Sequence, residues 1–104
     1  MTVRVIWIPR ASEELLEISA YLDQFDSAVA ERLIAEIRRK TDSLADFPRK
    51  GRLIRPGVRQ LTGAHPYLIR YRIKGGVIEI TRVYHGARNV RSPRPGYVAE
   101  SAAA

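Results

Sequence analysis

The chain contains no cysteine. Disulfides and thiolate metal sites are therefore excluded, and a reducing cytoplasm is the expected compartment. Histidine is nearly absent too. His65 and His85 are the only two, and neither sits in an acidic cluster, so no metal ion and no cofactor are expected. No apolar run is long enough to cross a bilayer. The apolar stretch at the N-terminus is too short for a signal sequence, because Pro9 and Arg10 end it. Carboxylates run out as well: after Asp46 only Glu79 and Glu100 remain. With 104 residues there is room for one core and no second domain.

What the chain does have is positive charge, unevenly spread. Through Asp46 there are six Lys/Arg against nine Asp/Glu, and from Phe47 onward twelve against two. An acidic front and a basic back make one positive face rather than a uniform coat. Such a face attracts polyanions: nucleic acid, a nucleoprotein machine or an acidic protein segment. The competing reading is a basic surface that is merely solvated.

Hydrophobic periodicity predicts an α+β fold. Residues 3–8 are β-branched and aromatic and read as a strand that Pro9 ends. In residues 10–25, Ala11, Leu15, Ile18, Leu22 and Phe25 recur at helical spacing, with Glu13, Glu14 and Glu17 between them. Ser12 is a candidate to help the helix start. Asp26 and Ser27 read as a break and an N-cap. A second helix is expected over 28–46, with Val29, Leu33, Ile37 and Leu44 inward and a Glu36–Lys40 pair on the wet side. Residues 47–57 read as a loop, 58–61 as a short strand, and 67–73 as a strand with Tyr67, Ile69, Tyr71 and Ile73 on one face and Arg70 and Arg72 on the other. Lys74-Gly75-Gly76 is a hairpin turn. The return strand, 77–85, does not alternate cleanly, and a bulge near Thr81–Val83 would reconcile its two halves. The order β-α-α-β-β-β predicts an antiparallel helical hairpin packed on one face of a mostly antiparallel sheet. The other face, carrying arginines, is left free. One domain over residues 1–94 is expected, followed by a flexible tail over 95–104.

Four fragments in this order resemble the signature of ParE-type toxins in the RelE/ParE superfamily. They are Pro48-Arg49-Lys50-Gly51-Arg52, Arg59-Gln60-Leu61, Tyr67-Leu68-Ile69-Arg70-Tyr71, and Ile78-Glu79-Ile80-Thr81-Arg82-Val83-Tyr84-His85-Gly86-Ala87-Arg88. The resemblance runs from about Val3 to about Asn89. It implies a RelE-like fold and the toxin role in a type II toxin–antitoxin system. It also implies a cognate ParD-like antitoxin bound in a hetero-oligomer. In the ParE branch the implied target is DNA gyrase; in the RelE branch it is mRNA on the ribosome, cut without a metal.

Cleavage of that second kind needs a base, an acid and cations on the phosphorane. Arg59, Arg82 and Arg88 are the candidates to hold a phosphate, because the guanidinium fork pairs two oxygens. His85 is the candidate acid or base. Tyr84 and Lys50 are weaker ones. A carboxylate base is not evident, which lowers the nuclease reading. Arg52, Arg59, Arg82, His85 and Arg88 are the expected target-binding set. The competing readings are structural: His85 bonding a backbone group, Arg82 pairing with Glu79 or a helix glutamate, and Tyr67, Tyr71 and Trp7 packing in the core.

Overall fold

The computed structural model describes residues 3–87. Strand β1 (Arg4–Trp7) leads into helices α1 (Pro9–Asp23) and α2 (Ser27–Asp42) and a 3₁₀ turn, Ser43–Ala45. Strands β2 (Arg52–Arg55), β3 (Val58–Thr62), β4 (Tyr67–Lys74) and β5 (Val77–His85) follow. They form one sheet in the order β1-β5-β4-β3-β2. β1 runs parallel to β5, and every other pair is antiparallel. Both the expected tail and Arg88 lie outside the described residues.

Local chemistry sets the element ends. Pro9 is the first residue of α1, where its fixed φ suits the helix and its missing N–H costs nothing. Ile8 is the N-cap and has no side-chain bond, so Ser12 does not serve there. Asp26 caps α2, its Oδ1 accepting from the N–H groups of Ala28 at 3.0 Å and Val29 at 3.2 Å. Gly75 and Gly76 both have positive φ, 58° and 76°, as a two-residue hairpin turn requires.

The core lies between the helices and one face of the sheet. Ala11 and Leu15 of α1, Ile37 of α2 and Leu44 meet Tyr67, Ile69, Tyr71, Ile78, Ile80 and Val83. The helical stripe is shorter than its periodicity suggests. Phe25 is 70 % exposed, and Val29 is exposed as well, because the tip of the hairpin carries them past the core. Glu36 pairs with Arg39 at 3.4 Å rather than with Lys40. Residues 52–55, expected to be loop, form edge strand β2. Arg-Leu-Ile-Arg alternates poorly, and its register with β3 shifts between Leu53 and Arg55.

Two features fix the sheet. The first is a bulge. Arg70 lies opposite Arg82, but Tyr71 lies opposite Ile80, so Thr81 is the extra residue. Its Oγ1 donates to the Arg70 carbonyl at 3.2 Å. The second is the edge of β5. β1 stops opposite Ile80, and the chain then turns into α1. Beyond that point Glu14 takes over: its carboxylate accepts from the Val83 N–H and from Arg82 Nε, each at 2.8 Å. Glu14 thereby bonds one of the N–H groups that β1 leaves unpaired.

Replacing Glu14 with alanine leaves both donors without that partner. Bonds to charged groups contribute about 1.5–3 kcal/mol, and partial exposure of the pair keeps the expected loss near the lower end. Glu14→Gln retains an acceptor for Val83 and is expected to recover about half. Urea unfolding measures both, and equal losses in the two variants would refute this role.

Candidate functional site

Register places four side chains in one line across the face of the sheet turned away from α1 and α2. Arg52 on β2 is opposite Gln60, Gln60 is opposite Arg70, and Arg70 is opposite Arg82. Directly opposed residues share a face, so the row crosses four strands. Tyr84, two residues along from Arg82, shares that face and lies under the row. Arg70 Cζ stands 5.0 Å from its ring centroid and Arg82 Cζ 5.2 Å. The Tyr84 hydroxyl donates to Gln60 Oε1 at 2.9 Å, and Arg70 Nε donates to the same oxygen at 3.1 Å. Arg4 and Lys74 lie opposite Val77 on the same face, and Arg72 is bound there to Glu79. Glu79 is the one carboxylate on any of the five strands.

The remaining candidates turn the other way. Arg59 is opposite Tyr71 and shares the helix side with it. It is not the free surface cation the sequence suggests. Its Nη1 donates to the Gly51 carbonyl at 2.7 Å and the Arg49 carbonyl at 3.3 Å. Tyr71 holds the same loop, donating its hydroxyl to the Pro48 carbonyl and accepting from the Gly51 N–H, both at 2.8 Å. Gly51 is needed for this approach, since a Cβ there would meet the Tyr71 hydroxyl at 2.7 Å. His85 is opposite Tyr67, edge-on to it with centroids 5.3 Å apart. Its Nδ1 accepts from the Ala87 N–H at 3.2 Å, the structural alternative expected for it. The exposed Lys50 reaches Ser43 Oγ at 3.4 Å.

The structure therefore brings Arg52, Arg82 and Tyr84 together, adds Arg70 and Gln60, and sets Arg59 and His85 on the opposite side. A phosphate clamp made of Arg59 and Arg82 is not formed, because they project from opposite faces. Arg82 is also tied to the helix glutamate Glu14, at 2.8 Å. Burial pushes the Tyr84 phenol above its ordinary pKa, although Arg70 and Arg82 pull it down. It stays protonated at neutral pH and is no base. What the row can do is hold anions: fixed guanidiniums with no base beside them bind phosphate or carboxylate without reacting. Among the described residues no group of His, Asp or Glu could hold a metal ion, and no helix is long and apolar enough to cross a membrane.

Burial also raises the Tyr71 phenol, against the lowering pull of its Gly51 bond and Arg59. A raised acid pKa favours the folded state fully below the unfolded value of about 10, and the benefit disappears as pH rises through the folded value. Thermal melting is thus expected to drop above about pH 10. Tyr71→Phe should lower stability at neutral pH by about 1–3 kcal/mol and show a shallower alkaline drop. A variant with the wild-type alkaline slope would refute the assignment.

Comparisons with known proteins agree with this architecture. The family model described as the ParE toxin of the type II toxin–antitoxin system, parDE, matches residues 5–90. The chain is 38 % identical to Toxin RelE2 of Caulobacter vibrioides over 85 residues, covering 82 % of this chain and 97 % of that protein. It is 42 % identical to the putative toxin Y4kP of Sinorhizobium fredii over 87 residues, covering 79 % and 86 %. The solved structure of a chromosomal ParDE system from P. aeruginosa superposes with a TM-score of 0.69 at 25 % identity, over 81 % of this chain and 96 % of that one. With the helical hairpin, the five-stranded sheet and the sequence matched together over most of the chain, this protein belongs to the ParE toxin family and is the toxin of a type II toxin–antitoxin system.

Proposed function

We propose that this toxin acts in the cytoplasm by inhibiting DNA gyrase as a protein ligand, not by cutting mRNA. The dispersal of the nuclease candidates carries this reading. Arg59 Nη1 bonds loop carbonyls, Arg82 Nε bonds Glu14 and His85 Nδ1 bonds Ala87, and the three divide between two faces. A cleaving site needs its acid, base and cations within reach of one phosphate. The family model described by parDE supports the same branch. The relatives named RelE keep the mRNA alternative in the test.

Neutralisation by a cognate antitoxin belongs to the same reading. The solved neighbour is a toxin–antitoxin system. The surface here offers what a folding partner needs. Phe47, 63 % exposed, and Pro48 line an open pocket of about 590 Å³ flanked by Arg49 and Lys50. Leu16, Tyr21 and Phe25 expose further apolar area along the helical hairpin. An amphipathic segment with apolar anchors and acidic flanks fits both.

Expression without antitoxin is expected to arrest growth with induction of the DNA-damage response, and the purified chain to stall gyrase supercoiling. His85→Ala should leave toxicity unchanged. If mRNA is cut in vivo and His85→Ala reduces cutting by about 10²–10⁴-fold, the protein is a nuclease and the gyrase reading fails.

A further inference from the structure

We infer that the face of the sheet turned away from α1 and α2 is a sequence-independent contact for the phosphate backbone of duplex DNA, centred on Arg52 and Arg70. The inference deepens the gyrase reading, since gyrase works on duplex DNA, and rests on it for the choice of nucleic acid.

The face is built for anions. Its long row holds three guanidiniums and one amide, and its sole strand carboxylate, Glu79, is already bound to Arg72. Arg70 is pre-positioned: Nε is fixed by Gln60 and the guanidinium lies against the Tyr84 ring. Ordering it on binding therefore costs little. Arg52 is exposed on edge strand β2. Arg82 is partly neutralised by Glu14, so it supports the row more than it drives binding.

Chemistry on the same face favours a duplex over a single strand. Single-stranded nucleic acid is held by stacking bases on exposed aromatic rings. Tyr84 is the aromatic this face carries, and it is 8 % exposed beneath two guanidiniums. Among the described residues this face offers no ring to a base. Phosphates pointing outward from a duplex need only cations. With strands about 4.8 Å apart, the row from β2 to β5 spans roughly 14 Å. That length is enough to reach at least two neighbouring phosphates of one DNA strand, which rises about 3.4 Å per nucleotide along the helix axis while winding around it.

Fluorescence anisotropy of the full chain with a labelled mixed-sequence duplex tests this. The matching single strand and a polyglutamate peptide serve as competing anions. Two phosphate contacts, made by Arg52 and Arg70, predict an affinity that falls about 12-fold between 50 and 200 mM salt. The Arg52→Gln, Arg70→Gln double variant should bind more weakly and lose less than about 2-fold over the same range. Arg32→Gln, Lys40→Gln, on helix α2, should keep the wild-type slope. Tighter binding of the single strand or the peptide, or an unchanged slope in the double variant, would overturn the inference. Gyrase is absent from this assay. Failed DNA binding beside intact supercoiling inhibition would sink only this inference, and the reverse result would sink only the gyrase reading.

Discussion

One extra residue, Thr81, decides what each side of this sheet presents. Side chains alternate along a strand, so removing the bulge would flip every residue of β5 beyond it. Arg82 and Tyr84 would then face the helices, and Val83 would face water. With Thr81 in place, Ile78, Ile80 and Val83 all reach the core, though their spacing breaks strict alternation. The same residue sets Arg82 opposite Arg70 and so completes the row of basic side chains.

That row carries an electrostatic conflict which its neighbours relieve. Like charges directly opposite one another on adjacent strands repel. Arg70 and Arg82 are such a pair, and two contacts offset the repulsion. The electron-rich face of Tyr84 lies against both, and Glu14 reaches round the strand edge to Arg82. Among the described residues Arg70 has no carboxylate partner and is steadied by the neutral Gln60. One guanidinium is thus largely compensated and its neighbour is not. On the helix side, Arg59 and Tyr71 serve another purpose, holding the 48–51 loop by four hydrogen bonds to its backbone.

Much of the fold is legible in the chain because its signals are local. Pro9, Asp26 and the Gly75-Gly76 pair mark boundaries by their own backbone chemistry. The alternation of Tyr67, Ile69 and Tyr71 names the buried face of β4 without reference to any other strand. The broken alternation of the last strand even points to the bulge. Misreadings arise where tertiary placement decides. Phe25 keeps helical phase with Leu15 and Leu22 yet overshoots the core. Edge strand β2 is paired on one side only, and its short basic sequence gives little alternation to detect. The site is partly visible in the chain: Arg52, Arg82 and Tyr84 stand out as candidates, and alternation turns Arg70 and Arg72 away from the core. Gln60 as their organiser needed the β3–β4 register, and Glu14, sixty-eight residues from Arg82, could be named only as one of several helix glutamates. Arg59 misled, because a basic residue in a strand motif looks the same whether it meets a ligand or a backbone carbonyl.

The parallel pairing of β1 with β5 has a consequence in time. The first strand sits beside the last, with Arg4 opposite Val77. A chain made from its N-terminus can form the helical hairpin early, but β1 has no neighbour until β5 has been synthesised. Contacts so distant in sequence are slow to close, and domains of this kind complete their fold late in translation. β1 therefore waits for β5 to be made, whereas β2, β3 and β4 are sequence neighbours that can pair before it.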